Sequence, residues 1–274
     1  MPGTLIICAT PIGNLADAPP RLGEALASAD VVYAEDTRRT AVLLAHLGVS
    51  TPSRSFFVGN EEDRATELAD HLAAGKTVAL VTDAGTPAIS DPGVRAIQAA
   101  VDVGARVTAV PGPSAVTMAL AVSGFSGDRF VFEGFLPRKG KARADRVAAL
   151  AGEDRTIVLF AATKRVDRDL SDLAAVMDPE RPVVVCRELT KLHEEIWRGS
   201  IAAAAAQWAE IEPKGEFTIV IAPQRRREAS IEDALAAVDV EVAGGSSLSS
   251  AVKDVAESLG VSRRALYEEA IKRR

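Results

Sequence analysis

Four turns in the first 124 residues carry the side chains whose types and spacing could do chemistry. They read TPIGN, EDTRR, DAGTP and VPGPSA, and each follows an apolar run that predicts a β-strand. Open α/β sheets bind their ligands beyond the carboxyl ends of the strands, where such turns meet. None of the turns matches GxGxxG or the P-loop pattern GxxxxGK followed by Ser or Thr. The sequence therefore disfavours a Rossmann dinucleotide site and a P-loop.

The prolines in these turns argue against a phosphate ligand. A phosphate site needs several backbone N–H groups that converge on an anion, and proline has none. The prolines concerned are Pro11, Pro87, Pro111 and Pro113. The turns favour presenting carbonyl groups, together with the Asp83 carboxylate and the hydroxyls of Thr86 and Ser114. That set suits a ligand with a sulfonium or ammonium charge, an adenine amino group and ribose hydroxyls, as in S-adenosylmethionine. Alternatively, Gly and Pro only form tight strand-to-helix turns.

The composition is that of a soluble globular protein. The chain has 274 residues, of which 47% are hydrophobic and 26% charged, which suits two domains with a sizeable core. No apolar run reaches the ~18 residues of a membrane span, so we expect a cytoplasmic protein with no membrane segment. Cys8 and Cys186 lie in apolar, β-like runs and are predicted to be core thiols. His46, His71 and His193 lack metal-ligand spacing, so we expect no bound metal.

Hydrophobic patterning divides the chain into three parts. Residues 1–124 alternate β-rich runs with helical patterns, which predicts a mostly parallel α/β domain. A turn-rich junction at 123–130 leads into a second α/β domain over 125–228, with more room for mixed strand pairing. Residues 229–274 show helical patterns only and are predicted to form a small helical unit. The predicted fold class is thus α/β, with two domains and a small C-terminal helical unit.

The C-terminal unit has the spacing of a helix-turn-helix. Its second helix is predicted to begin after Ser262, a good N-cap, with Arg263 and Arg264 in the first turn. Two interpretations stay open here, since any two short packed helices joined by a glycine-containing turn look alike. The hairpin either contacts nucleic acid through its basic residues or serves as a structural or dimer-forming element.

The distribution of charge modifies what the net charge implies. A net charge of −6 counts against a nucleic-acid partner. However, the stretch PRKGKARADR at 137–146 sets five basic residues against Asp145 alone, and further basic residues cluster at Arg225 to Arg227 and at the C-terminus. The chain therefore carries local basic patches within an acidic whole.

Five segments taken together resemble a known family. CATPIGNLAD, AEDTRRT, LVTDAGTPAISDPG, VPGPSAVTMALAVSGF and FEGFLPRKGKAR are similar, in order, to the bacterial small-subunit ribosomal RNA methyltransferases that modify a cytidine ribose 2′-hydroxyl. That group is part of the tetrapyrrole methylase superfamily, and the resemblance spans roughly residues 4–225. It implies a tetrapyrrole-methylase-like fold, usually dimeric, with S-adenosylmethionine between the two domains. Thr86 stands where many relatives that methylate tetrapyrroles carry Asp, which suits the RNA branch.

The resemblance also implies positions for the cofactor. Carried over onto this sequence, the expected contacts are Pro11, Ala84, Gly85, Thr86, Ile89, Ser114 and Ala115, with Phe160 helping to enclose the cofactor. Asp83 is expected either to fix the cofactor or to act as a base, and we favour the cofactor.

Catalysis and RNA binding are assigned to charged residues near these turns. Glu35, Asp36 and Arg38 are the candidates for polar catalysis; the alternative is an ion-paired turn with a helix cap. The sequence does not identify the general base.

Small-subunit ribosomal RNA, or the 30S subunit, is the expected partner. The expected contacts are Asn14, Arg138, Lys139, Lys141, Arg143, Arg263 and Arg264, and phosphate contacts of this kind weaken with salt. Alternatively, the basic stretch at 137–146 is a solvated helix start.

Two other functions stay open at this stage. The same fold could methylate a small macrocycle such as a tetrapyrrole precursor, although a small ligand would not require the basic PRKGKAR stretch. The protein could also be a non-catalytic RNA-binding assembly factor that retains a cofactor cleft.

Overall fold

The computed structural model describes residues 1–224 and 230–273. One compact unit comprises Met1–Pro223, and a second begins at Gln224. The basic cluster at Arg225 to Arg227, the basic residue Arg274 and the predicted boundary between residues 228 and 229 lie outside the described residues.

The first part of unit 1 is a parallel sheet with helices on both faces. Its five strands lie in the order β3-β2-β4-β1-β5, and every pairing is parallel. The strands are β1 (Thr4–Cys8), β2 (Val31–Ala34), β3 (Ser53–Ser55), β4 (Thr77–Val81) and β5 (Arg106–Val110). The helices are α1 (Pro20–Ser28), α2 (Thr37–His46), α3 (Glu61–Ala73), α4 (Val94–Asp102) and α5 (Ala115–Ser123). The α/β class predicted from the sequence is confirmed.

The apolar strands of this sheet are covered on both sides. In β4, Val78 and Leu80 pack with Leu68 of α3 on one face, while Ala79 and Val81 belong to the cluster on the other face. Successive side chains of a strand point to opposite faces, so a strand buried on both sides must be apolar throughout. All parallel strands therefore end at one sheet edge, and the four turns identified in the sequence lie at that edge.

The second part of unit 1 is a mixed sheet in the order β6-β7-β10-β8-β9. The β6 and β7 strands pair in parallel, whereas β7 with β10, β10 with β8, and β8 with β9 are antiparallel. The strands are β6 (Phe130–Phe135), β7 (Thr156–Ala161), β8 (Pro182–Arg187), β9 (Glu195–Ser200) and β10 (Phe217–Ile221). The helices are α6 (Lys141–Ala151), α7 (Val166–Ala174) and α8 (Ile201–Ala209).

Arg143, a predicted RNA contact, lies on the face of helix α6 that points into the protein. Arg143 is 3% exposed, and its guanidinium lies 2.8 Å from Asp169 Oδ1 and 2.7 Å from Asp172 Oδ2. Arg143 shares the inward face of α6 with the buried residues Val147 and Leu150, which follow at helical spacing. The expectation that Arg143 contacts RNA was therefore wrong, since its side chain forms an internal ion pair.

Both cysteines belong to the core, as predicted. Cys8 and Cys186 are buried and free, and burial raises the pKa of the Cys8 thiol to about 12 and that of Cys186 to about 11. Such thiols stay protonated and do not act as nucleophiles.

In the described parts of the chain, no helix is long and apolar enough to cross a membrane. The same residues show no group of His, Cys, Asp or Glu side chains that could hold a metal ion.

The described residues of the second unit form three helices, α9 (Ile231–Ala243), α10 (Leu248–Leu259) and α11 (Arg263–Lys272). Its small core includes Val252, Val255 and Leu266. Ser262 caps α11 by accepting a hydrogen bond from the backbone N–H of Ala265, as the sequence predicts. Ser230, Ser247 and Ser262 cap the three helices in the same way, and such caps stabilise the first turn of a helix.

Replacing Arg143 by Ala should destabilise unit 1. The change leaves the Asp169 carboxylate, which is 0% exposed, without its main counter-charge. Breaking a buried pair in this way lowers the free energy of unfolding by about 3–5 kcal/mol, which urea denaturation followed by circular dichroism would measure. The matched control is Lys141→Ala on the same helix, whose pair with Asp145 is exposed and whose loss costs at most about 1 kcal/mol. Equal effects of the two variants would contradict the structural role of Arg143.

Candidate functional site

A cavity of about 360 Å³ lies where the carboxyl ends of the parallel strands face the second sheet. That volume is within the range of pockets for small organic ligands. The loops of the first sheet contribute Ile12, Ala84, Gly85, Thr86, Ile89, Ser90, Asp91, Ser114, Ala115 and Val116. The second sheet and its loops contribute Phe135, Phe160, Ala161, Ala162, Thr163, Cys186, Leu189, Glu216, Phe217 and Thr218. The cavity thus depends on both sheets.

Two loops of the first sheet are joined by a backbone bridge. The Thr10 N–H donates to the Gly85 carbonyl at 2.8 Å, and the Gly85 N–H donates back to the Thr10 carbonyl at 3.1 Å. The buried Thr10 hydroxyl also donates to the Thr82 carbonyl at 3.1 Å. Gly85 has φ of 77°, a left-handed conformation that glycine adopts without steric cost. The bridge therefore fixes the turn after β1 against the turn after β4.

The segment that follows Gly85 has strained backbone and is held by hydrogen bonds. Ala88 and Ser90 have φ of 71° and 65°, which costs on the order of 1–3 kcal/mol for each non-glycine residue. The Ala88 N–H donates to the Pro92 carbonyl at 3.2 Å, and the Gly93 N–H donates to Glu61 Oε1 of α3 at 3.1 Å. We call residues 86–93 the Asp91 loop, because this geometry presents Asp91 to the cavity.

The facing wall has its own strained loop, which follows β8. Glu188 and Thr190 also have positive φ, 51° and 68°, and Leu189 between them is buried against the cavity. The Lys191 Nζ lies 2.8 Å from Glu188 Oε1 and 3.0 Å from Glu216 Oε2. A Cβ atom on Gly13 would overlap the Lys191 side chain, so a larger residue there would require this lysine to move.

Most of the residues predicted to contact the cofactor meet at the cavity. Those that line it are Ala84, Gly85, Thr86, Ile89, Ser114, Ala115 and Phe160. Pro11 and Asp83 are not among the lining residues. Pro11 is buried beside the Thr10 bridge. The Asp83 carboxylate accepts the Asp36 N–H at 3.0 Å and pairs with Arg39 at 3.4 Å, so it fastens two strand ends together.

The residues predicted for polar catalysis lie outside the cavity lining. Asp36 caps α2, accepting the Arg38 N–H at 2.8 Å, and its carboxylate pairs with the Arg38 guanidinium at 2.7 Å. Arg38 holds the pKa of the Asp36 carboxyl well below its ordinary value. Glu35 accepts the Asp83 N–H at 3.3 Å, and burial raises its pKa. The structure therefore has the ion-paired helix cap that the sequence left as the alternative for Asp36 and Arg38.

The electrostatics of the cavity disfavour an anionic ligand. Among the described residues that line it, two are carboxylates, Asp91 and Glu216, and none is a lysine or arginine. Burial raises the pKa of Asp91 to about 7, with further increases from the negative charges of Glu35, Asp83 and Glu216. Such a site repels phosphate and favours a cation with an apolar or aromatic body.

Sequence reasoning missed several lining residues. Asp91 was visible within TPAISDPG, but its orientation depends on left-handed backbone at Ala88 and Ser90, which no residue type there demands. Leu189 and Glu216 come from loops of the mixed sheet, where the sequence does not fix the pairing. A usable signal was the charged run ELTKLHEE after β8, because charged residues directly after a buried strand often lie at a site.

Of the residues predicted to contact RNA, all but Arg143 are exposed, and they lie in three places. Arg138, Lys139 and Lys141 are exposed and follow the cavity-lining Phe135 by three to six positions. Asn14 is exposed and caps a short 3-10 turn by accepting the Ala16 N–H at 3.0 Å. In the second unit Arg263 and Arg264 are exposed, with Arg264 paired to Glu268 at 3.0 Å. Arg143 is internal, as described above.

Comparison with known proteins gives the family. Residues 4–205 match the family model described as tetrapyrrole (corrin/porphyrin) methylases. A relative from Synechocystis sp., named ribosomal RNA small subunit methyltransferase I, is 44% identical over 97% of this chain and 96% of its own length. A relative of the same name from Mycobacterium tuberculosis (strain CDC 1551 / Oshkosh) is 45% identical over 99% of this chain and 96% of its own length.

Solved structures support the fold. A crystal structure of the methyltransferase CobJ matches 81% of this chain and 95% of its own, with a TM-score of 0.62 and 18% identity. A diphthine synthase structure covers 80% of this chain and 89% of its own, with a TM-score of 0.61 and 15% identity. At such low identity these likenesses show the fold alone, and they confirm the predicted tetrapyrrole-methylase-like architecture. From the family match and the full-length relatives, we conclude that this chain belongs to the tetrapyrrole methylase family, in the branch of the ribosomal RNA small subunit methyltransferases.

Proposed function

We propose that the protein transfers a methyl group from S-adenosylmethionine to the 2′-hydroxyl of a cytidine in small-subunit ribosomal RNA. The observation that carries the proposal is the cavity between the strand ends of the two sheets, which is lined by two carboxylates and by no described lysine or arginine. The relatives, similar over nearly the whole chain, supply the substrate class through their name. Methyltransferases of this family use S-adenosylmethionine.

The lining residues suit that cofactor. Phe160, Ile12 and Leu189 supply apolar surface for an adenine ring, while the hydroxyls of Ser114 and Thr86 can bind ribose or amino groups. The carboxylates of Asp91 and Glu216 complement a positive charge. When bound, S-adenosylmethionine supplies an electrophilic methyl group attached to a sulfonium ion. The chain's own task is to hold the reacting groups in line, which contributes on the order of 7–11 kcal/mol to lowering a barrier.

The RNA is proposed to lie along the basic stretch beside the cavity. Arg138, Lys139 and Lys141 are exposed and begin three residues after Phe135, which lines the cavity. Phosphates held there would leave a neighbouring ribose near the cavity mouth, as recognition of a splayed single strand requires. Arg38, which is 89% exposed at the end of β2, is a further candidate phosphate contact at the same sheet edge.

The remaining parts of the proposal concern context. We expect a homodimer that acts in the cytoplasm on the small subunit or its RNA, as the resemblance to the family implies. Arg263 and Arg264 of the second unit are proposed to add phosphate contacts, because both are exposed in the first turn of α11. Asn14 is proposed to contact ribose or phosphate from the turn after β1.

The reaction itself can be tested by methyl transfer. Small subunits that lack the modification are incubated with tritiated S-adenosylmethionine, and the digested RNA is analysed as nucleosides. We expect label in 2′-O-methylcytidine, because the cavity and the neighbouring basic stretch bring a methyl donor to RNA. Subunits that already carry the modification are the control and should take up no label. Label on a base, or transfer only to a porphyrinoid macrocycle offered in parallel, would contradict the proposal.

The cofactor position can be tested at Gly85. Asn tolerates the left-handed backbone, so Gly85→Asn should fold, yet its side chain adds bulk where Gly85 lines the cavity. We expect the affinity for S-adenosylmethionine, measured by calorimetry, to fall by roughly ten-fold or more. The control is Gly48→Asn, at a left-handed glycine with open space around it. Unchanged affinity in the Gly85 variant would place the cofactor elsewhere.

The RNA surface can be tested by charge reversal. Lys139→Glu together with Lys141→Glu should weaken binding of small-subunit RNA and lower the slope of log affinity against log salt by about one to two. Affinity for S-adenosylmethionine should not change. The matched control reverses Lys76 and Arg106, which are exposed at the opposite edge of the first sheet. If both double variants weaken RNA binding equally, RNA affinity depends only on the overall charge of the protein, and the basic stretch is not a specific RNA-binding surface.

A further inference from the structure

Asp91 differs from the other carboxylates at this sheet edge in having no hydrogen-bond or ion-pair partner among the residues that the structure describes. Asp36 and Asp83 are held by arginines and by backbone N–H groups, and Glu35 accepts the Asp83 N–H. Glu216 lines the cavity as Asp91 does, but its carboxylate is held by Lys191. In the part of the chain that the structure describes, no donor lies within hydrogen-bond distance of the Asp91 carboxylate, which is therefore free to act on a ligand in the cavity.

The loop that carries Asp91 is fixed from both ends. Left-handed backbone at Ala88 and Ser90 is strained, and the hydrogen bond from the Ala88 N–H to the Pro92 carbonyl closes the loop. Glu61 of α3 accepts the Gly93 N–H and anchors the loop to the body of the sheet. Strain of this kind persists only where the surroundings impose it, and it is concentrated at functional sites. The carboxylate is thus presented to the cavity by a short loop whose backbone is held by hydrogen bonds.

The charges that face Asp91 are acidic. Glu35 at the end of β2, Asp83 at the end of β4 and Glu216 before β10 all disfavour its ionised form, and burial does so more strongly. The nearby cations are occupied elsewhere, Arg39 with Asp83 and Lys191 with Glu188 and Glu216. Burial and these three acids raise the pKa of Asp91 to about 7. A carboxylate of this kind is much more basic than an ordinary one, and a catalytic base works best with a pKa near the working pH.

We propose that Asp91 is the general base of the methyl transfer and takes the proton of the ribose 2′-hydroxyl as that oxygen attacks the methyl carbon. The inference rests on the proposed function and adds the catalytic group that the sequence left unassigned. The bond from the ribose oxygen to the methyl carbon forms while the bond from sulfur to that carbon breaks. The hydroxyl proton moves to the Asp91 carboxylate, and the sulfonium becomes a neutral thioether. The aspartic acid then returns the proton to solvent.

The test compares Asp91→Asn with the enzyme carrying Asp91, using tritiated S-adenosylmethionine and small subunits that lack the modification. Loss of the base should lower kcat by about 10²–10⁴-fold, while affinity for S-adenosylmethionine falls by less than about ten-fold, because Glu216 still supplies a negative charge to the cavity. With Asp91, kcat/KM, which reports the pKa values of the free enzyme, should rise with pH and level off above about 7, because the base must be ionised; the residual activity of the Asn variant should lack this step. The matched control is Asp102→Asn, at an exposed residue at the end of α4, which should leave both readouts unchanged. Asp91→Glu should restore part of kcat and the pH step.

The stability of Asp91→Asn provides an independent check that the variant folds. The folded state raises the pKa of Asp91 from 3.8 to about 7, so the folded protein keeps a proton that the unfolded chain releases. The stability associated with that proton is present below about pH 4 and is lost as the pH rises to about 7. Asn cannot ionise, so the variant should melt at a higher temperature than the parent at about pH 8 and at a similar temperature at about pH 4.

The outcomes separate the inference from the proposed function. If the parent enzyme labels the RNA and Asp91→Asn keeps its kcat, the assignment of the base is wrong and the function stands. If Asp91→Asn loses affinity for S-adenosylmethionine by ten-fold or more, Asp91 is a cofactor ligand and the assignment is again wrong. If the parent enzyme itself labels no ribose, the proposed function fails and the base assignment fails with it.

Discussion

Two backbone hydrogen bonds between Thr10 and Gly85 are the constraint from which the geometry of the site follows. Neighbouring parallel strands diverge into separate helical crossovers, so the turns at their ends have no intrinsic reason to stay together. The bridge joins the turn after β1 to the turn after β4. The Asp91 loop begins directly after Gly85, and Ile12 lies two residues after Thr10. Both segments contribute residues to the cavity lining. The bridge therefore sets the positions of both loops.

Electrostatics imposes the second constraint. Ionising several carboxylates at one sheet edge is unfavourable unless cations or hydrogen-bond donors compensate. The chain compensates Asp83 with Arg39 and Glu216 with Lys191, whereas Asp91 has no such partner in the described part of the chain. The remaining negative potential is balanced when a positively charged ligand binds. A sulfonium cofactor and the acidic cavity are thus complementary, whereas a phosphate in the same place would add to the repulsion.

The sequence predicted the parts of this arrangement that depend on local patterns. Apolar runs ending in Gly- and Pro-rich turns identified the strand ends, and parallel strands must bring those ends to one edge. This is why residues such as Gly85 and Ser114 meet in the cavity. Arg143 was misassigned because the basic run looked exposed, although Val147 and Leu150 at helical spacing already marked an inward face. Asp91 and Glu216 required tertiary information, since a strained loop and a mixed sheet place them.

Under the proposed function, the charge distribution also explains how RNA, a polyanion, can bind next to an acidic cavity. The net charge of −6 and the carboxylates at the cavity repel phosphates, while exposed residues such as Arg138 and Lys139 attract them just beyond Phe135. Phosphates are then held outside, and the neutral 2′-hydroxyl of a ribose is the part of the backbone that enters at the smallest electrostatic cost. This separation of charges selects a ribose oxygen over a phosphate oxygen as the group that approaches the methyl donor.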